Sequence, residues 1–397
     1  MEFSFSNKAK SFTYVLMAIG LISLVVGFIA DGSDHHNRWW SALYVNGLFF
    51  TFITFGALFF NILQYATESG YSVMVKRIFE AIISYMPVGV AVVFLVHLVG
   101  SFHGHHIFHW MDPEVYDETS PAYDSIIANK KAYLNIPFFW IRSIIYIGTF
   151  MFFANAFRKR SLREDKDPSL AIHKKNYVRS GLFLVFFAVF SSTISWDWVM
   201  SIDTHWFSTL YGWYLFSGMW CTAMVVGLIV LLYLKAKGYL PQVNNSHIHD
   251  IGKWVFALSF LWSYLWFSQF MLIWYSNIPE EVTYFITRIH YYKVPFFTMF
   301  FVNFVLPMVL LMSRDAKRNP KFLISIGTII FLGHFVDVWL LVMPGVMGGE
   351  AHLNWMDIGM FLGFLGLFVF VVLRALTKAP LVPVNHPYLQ ESIHHNI

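Results

Sequence analysis

Ten long apolar runs are spaced along this 397-residue chain, and no set of soluble layers could bury that many. A helix needs about 20 apolar residues to cross a bilayer. Runs at 11–30, 41–65, 81–101, 137–157, 178–201, 208–234, 251–274, 293–312, 322–344 and 355–374 all reach that length. Backbone groups in hydrocarbon must be satisfied within the segment, so the runs read as helices. Composition agrees: 57% of residues are hydrophobic and 13% charged, whereas a soluble domain carries about 25% charged residues. The expectation is an all-α polytopic membrane protein, a single integral domain over 1–397. No low-complexity tract and no soluble domain interrupts it.

Lys8 and Lys10 ahead of Phe12–Ala30 give the first run the look of a signal peptide. It is as long as a span, however, and no small-x-small cleavage site follows it, so it is read as a retained first helix.

Lys and Arg set the orientation. With the N-terminus inside, 21 basic residues fall on inside segments. Five fall outside: Arg38, Lys130, Lys131, Arg288 and Lys293. The positive-inside rule then predicts both termini in the cytoplasm. The net charge of +4 is small and sits in membrane-flanking segments, which argues for topology and against nucleic-acid binding. The inside loop near 158–177 is basic (RKRSLREDKD) and suits anionic headgroups or a partner. The outside loop near 102–136 is acidic, rich in His, Asp and Tyr, and long enough for a short surface helix.

A charge inside a bilayer is expensive, so intramembrane ionisable residues are functional candidates. On this topology they gather toward the outside, and the inner halves of the spans are nearly free of charge. His334 and Asp337 stand three apart on one helix face, where an imidazole beside a carboxylate can accept and relay a proton. Arg142 keeps its proton and needs an anionic partner, for which Asp197 and Asp337 are the candidates. His97 lies in the outer half of the third span. Asp203, His205, Glu280, Arg288 and Asp357 form a candidate polar cluster at the outer face. Asn61, Gln64, Ser325 and Thr328 offer only a sparse inner path. The histidines of HGHHIFH lack a Cys or a clearly spaced carboxylate, so no metal site is assigned.

The one cysteine, Cys221, lies inside an apolar run. It excludes an internal disulfide, a Cys-x-x-Cys pair, an iron–sulfur cluster and c-type haem attachment. His97 and His334 are too few for a bis-imidazole dihaem centre. FSSTISWDWVMSIDTHWFSTLYGWY at 190–214 and FLWSYLWFSQFMLIWYSNIPEEVTYF at 260–285 are weakly similar to each other and read as aromatic belts at the outer interface.

With ten spans and this topology, WDWVMSIDTHWFSTLYGWY and FSQFMLIWYSNIPEE make the chain resemble the F subunit of bacterial alternative complex III. That complex is a quinol:cytochrome c oxidoreductase, and the subunit belongs to the family of NrfD and polysulfide-reductase membrane subunits. The resemblance covers essentially the whole chain. It implies two four-helix bundles plus two flanking helices in a bacterial inner membrane. It implies a homologous membrane subunit, an iron–sulfur subunit and multihaem cytochrome c subunits as partners, with a terminal oxidase and lipids as neighbours. Menaquinol or ubiquinol would bind nearby, and haem c and iron–sulfur clusters would belong to the partners. The role expected here is proton handling or a quinol-site environment, together with anchoring the periplasmic redox subunits. The alternatives are a purely structural membrane subunit and a proton-translocating or transport protein.

Overall fold

The computed structural model describes residues 2–396. It contains ten apolar helices long enough to cross a membrane: α1 Asn7–Ala30, α2 Asp34–Ala66, α3 Lys76–Ser101, α4 Ile136–Glu164, α5 Leu170–Ile202, α6 Tyr211–Ala236, α7 Asn245–Ser276, α8 Lys293–Leu310, α9 Pro320–Met347 and α10 Trp355–Leu376. Each overlaps one of the ten sequence runs, and no strand occurs among the described residues.

The helices close into two rings. α2, α3, α4 and α5 pack around one, and α6, α7, α8 and α9 around the other. α2 also packs on α6, α9 and α10, which joins the rings. It is apolar on every side, as a helix buried all round must be. Its Phe49 and Phe50 interlock with Phe331 of α9 and Phe361 of α10.

α1 and α10 flank the rings as a pair built on small residues. A Cβ on Gly20 would stand 2.2 Å from the Gly363 Cα. Gly359 meets Ser23, and Gly366 meets Leu16. Between helices in lipid, where no hydrophobic drive separates protein from solvent, such close backbone approach supplies the dispersion contacts.

Two helices are interrupted. α3 breaks after Ile83 and restarts at Met86, where Pro87 occupies its first turn. Counted from the apolar run at 81–101, Pro87 falls near the span end. The helix in fact begins at Lys76, so the break lies well inside it. In α8 the residues Phe301–Val305 form one π-helical turn ahead of Pro307. Pro307 has no N–H to donate and its ring crowds the carbonyl of Asn303, so the ladder slips by one residue there.

The first and last described segments lie at the same end of the molecule, here the terminal end. Phe3 packs on Tyr239 between α6 and α7, and His395 Nε2 lies 2.6 Å from Asp250 Oδ2 at the start of α7. The segment 102–135 lies at the other, or loop, end. It includes the short helix Ser125–Asn129, capped by Asp124, and buries Trp110, Val115 and Ile127. Burial pushes the Asp124 carboxyl up, but the Ile127 and Ile126 N–H donors and His205 outweigh it and hold the group below its ordinary value.

The terminal end is richer in buried charge than the sequence suggested. Lys76, Arg77 and Glu80 in the first turns of α3 are all buried. Lys76 pairs with Glu164, Arg77 with Glu80 and Asp165, and Arg158 with Glu80. These residues lie ahead of the apolar run that begins at residue 81 and beyond the one that ends at residue 157. α3 starts five residues before its apolar run, and Glu164 and Asp165 at the end of α4 supply counter-ions.

Beyond α10 the chain runs as a strap across this end. Val384 N–H and Asn385 Nδ2 donate to Asp165. Tyr388 donates to Glu68 at 3.1 Å and Ser392 to the Tyr71 carbonyl at 3.1 Å. Asn244 Nδ2 donates to the His395 carbonyl at 2.6 Å. The strap thereby ties the α4–α5 turn, the α2–α3 turn and the start of α7 together.

Candidate functional site

Each ring holds one buried aspartate on its last helix, and the two are treated differently. Asp197 on α5 receives Arg142 Nε at 2.8 Å and Nη2 at 2.9 Å. Tyr146 donates to it at 3.0 Å, and Arg142 Nη1 donates to the Tyr133 carbonyl at 3.1 Å. The guanidinium lies 3.9 Å from the Tyr133 ring and 4.1 Å from that of Phe138. Arginine's fork matches a carboxylate through two parallel hydrogen bonds, so this is a closed ion pair.

Asp337 on α9 has no such partner. Tyr214 of α6 donates to its Oδ1, and Trp262 Nε1 of α7 donates to its Oδ2 at 2.9 Å. His334 Nδ1 stands 3.7 Å from Oδ2, one helical turn away. The imidazole Nε2 is buried and unpartnered, and its ring meets the edge of Trp262 at 5.4 Å. Six carboxylates are buried among the described residues: Glu80, Glu164, Asp197, Asp250, Asp337 and Asp357. Five pair with Lys or Arg. Only Asp337 has a histidine as its sole ion-pairing neighbour. That pair can exchange a proton internally and hold one more, which a carboxylate locked to arginine cannot do.

A cavity of about 20 Å³ touches both groups, between Phe49, Phe52 and Ile53 of α2 and Gly218 and Thr222 of α6. That holds about one water and no ring. A groove of about 460 Å³ opens on an adjacent face of α9, lined by Tyr292, Pro295, Met299, Val302, Gly333 and Trp339. Its walls are apolar and its outer rim, Val294 and Leu353, is exposed. Asn303, in the π-helical turn beside it, is fully buried with both side-chain polar atoms unpartnered.

His97 is part of a separate network beside Arg142–Asp197. Tyr44 donates to the Trp198 carbonyl at 2.6 Å, so its oxygen accepts from His97 Nε2 at 2.8 Å. Trp198 Nε1 donates to Ser143 at 3.0 Å. Phe108 and Phe139 close the remaining sides of the imidazole.

The outer cluster divides. Asp203, His205 and Arg288 line one polar cleft of about 480 Å³ with His106 and His109. Arg288 Nη2 donates to Asp203 at 3.0 Å and is clasped by the Tyr284 ring, while His205 bonds Asp124 at 2.5 Å. Asp357 is withdrawn from this group. It is buried at the start of α10 against Arg38, with Trp339 Nε1 donating at 3.3 Å. Glu280 is exposed in the first turn of the helix Pro279–Tyr291, where a negative charge suits the helix dipole.

Several expectations change. Of the two candidate partners of Arg142 only Asp197 is one, because Asp337 belongs to the other ring. Ser325 and Thr328 bond back to their own helix carbonyls on an exposed face and line nothing inside. Asn61 and Gln64 face a small cavity at the terminal end. Not all the tryptophans are interface anchors. Trp198 and Trp262 are fully buried donors within the rings, and Trp206 stacks 3.9 Å from Tyr284, whereas Trp213 and Trp274 are exposed. Sequence reading missed Tyr214, Trp262 and Tyr44, since aromatic residues in spans carry no signal until a neighbour is placed. No family model matches the chain, and no curated protein matches its sequence.

Proposed function

We propose that this chain is an integral membrane subunit of a bacterial quinol:cytochrome c oxidoreductase, with both termini cytoplasmic. Its part there is to handle protons at His334 and Asp337. The observation that carries the proton role is the environment of Asp337. It is the one buried carboxylate among the described residues whose sole ion-pairing neighbour is a histidine, with no Lys or Arg on it. Quinol oxidation releases two protons with its electrons, and a buried imidazole–carboxylate pair is a suitable acceptor for them.

Placement in such a complex is supported by the resemblance of residues 196–214 and 267–281 to the F subunit of alternative complex III and by the two rings with a flanking pair. One cysteine and few intramembrane histidines leave electron transfer to haem c and iron–sulfur clusters of partner subunits. The cleft around Asp203, His205 and Arg288 suits a periplasmic partner. The groove beside Trp339 suits the isoprenoid tail of a quinol or a lipid chain. The small cavity at His334 favours one second reading, in which this subunit anchors its neighbours and takes no part in the chemistry.

The test starts with affinity purification from the native membrane. Co-purification of c-type haem and quinol:cytochrome c activity is expected, and their absence would overturn the assignment. In the assembled complex, Asp337→Asn and His334→Ala should lower quinol oxidation at least tenfold with the subunits still bound. Wild-type turnover and wild-type proton release in both variants would leave only the anchoring role.

A further inference from the structure

We infer a second site, a divalent metal centre of the zinc class at the terminal end, formed by Glu164, His173 and His386. The three come from distant parts of the chain: the last residue of α4, the first turn of α5 and the strap beyond α10. One ligand atom of each lies within 4.8 Å of the others, and all three residues are buried.

Ordinary packing does not account for them. Both ring nitrogens of His173, Glu164 Oε1 and the Tyr65 hydroxyl are buried without a hydrogen-bond partner. His173 Nδ1 stands 3.5 Å from Glu164 Oε1. Four unsatisfied polar atoms on three neighbouring residues would cost several kcal/mol in a dry interior. His173 and Tyr65 line, with His386, Lys76 and Tyr388, a cavity of about 20 Å³, which is room for one ion or one water.

Two imidazoles and a carboxylate with a fourth position open are a donor set that zinc takes tetrahedrally. Ligands at about 2.0–2.1 Å from zinc lie about 3.3 Å from each other. From separations of at most 4.8 Å, the strap that carries His386 has to draw in by no more than about 1.5 Å. Lys76 is the competing cation, 3.5 Å from Glu164 Oε2. The ion takes the other oxygen, Oε1, and the carboxylate bridges the two charges. The metal would clamp the strap to the α4–α5 turn.

The test uses the full chain in detergent, stripped with a chelator and equilibrated with micromolar zinc chloride. Wild type should retain about one zinc per chain by elemental analysis, and zinc should slow tryptic release of the segment after Lys378 at least tenfold. His386→Gln lies outside every span and should lose both effects, as should His173→Gln. His106→Gln at the loop end should lose neither. Less than about a tenth of an equivalent bound by wild type, which leaves the cavity to a water, would overturn the site. So would full retention by His386→Gln.

Discussion

Arg142 grips Asp197 through two near-parallel hydrogen bonds of 2.8 and 2.9 Å, and a third donor, Tyr146, completes the carboxylate. A pair so buried is worth little against an apolar pair of the same shape, yet half of it is costly. Arg142→Met alone should therefore lose about 3–5 kcal/mol of stability. Arg142→Met with Asp197→Leu should recover most of that loss. Thermal unfolding in detergent reads the difference, and equal losses in single and double variants would sink this account of the pair.

Asp337 depends on neutral donors. Tyr214→Phe and Trp262→Phe each delete one of them and should each cost about 1–3 kcal/mol, because a buried acceptor is left short. Under the proton-handling proposal both should also slow turnover of the assembled complex. Stability loss with unchanged turnover in both would separate packing from chemistry.

Glycine content matters where backbones touch. Gly20→Ala drives a methyl into Gly363 and should cost about 1–3 kcal/mol through overpacking. Gly148 on α4 has nothing within 4 Å of its virtual Cβ. Gly148→Ala should be neutral or stabilising by about 0.5–1 kcal/mol, the ordinary helix gain. Melting temperatures of the two variants should move in opposite directions or differ by several degrees.

His105 gives the loop end a pH dependence. Burial pushes its imidazole down to about 4, with the Val96 carbonyl opposing and His106 assisting. Its Nε2 donates to Val96 at 2.8 Å, while Nδ1 accepts from the Ile107 N–H at 3.3 Å. The native form is neutral and the unfolded form titrates near 6.5. The stabilisation is thus complete above about pH 6.5, declines as pH falls toward 4 and is constant below that. At pH 5 local opening of the 102–116 segment should be easier by about 2 kcal/mol than at pH 7.5. Hydrogen exchange corrected for its intrinsic pH dependence measures this, and His105→Phe should abolish the difference.

Orientation is open to a labelling test. Cys221 is fully buried, so the wild type should be silent to a membrane-impermeant maleimide. Glu118→Cys at the loop end should react from the periplasmic side of intact cells. Asp167→Cys at the terminal end should react only in inverted vesicles. The reverse pattern would invert the topology drawn from the 21 to 5 distribution of Lys and Arg.

Much of this architecture was legible because the bilayer leaves so few options. Length and hydropathy marked all ten spans, and the i,i+3 spacing placed His334 against Asp337 on one face. Arg142 was recognisable as needing an anion, with Asp197 and Asp337 as the two candidates, because a charge in a span must find its opposite. What stayed hidden needed distance in sequence to become nearness in space. Arg38 finds Asp357, and Tyr214 and Trp262 find Asp337, only when helices from different parts of the chain meet. The terminal-end charges were hidden for another reason. Lys76 and Arg77 read as loop residues by composition, and only the α4 carboxylates explain why a helix can begin with them buried.

The contact between Gly20 and Gly363 also sets an order of events during synthesis. Of the ten apolar helices, α1 is made before the other nine, and the one it packs along is made after them. At about 5–20 residues per second, α1 waits on the order of 20–70 s for α10 to emerge. Through that interval it must be content in lipid by itself, and from Ser11 to Ala30 it carries no ionisable side chain beyond Tyr14. Closing of the α1–α10 seam is then a late step in biogenesis, and a ribosome stalled before α10 would leave α1 free to find the wrong companion.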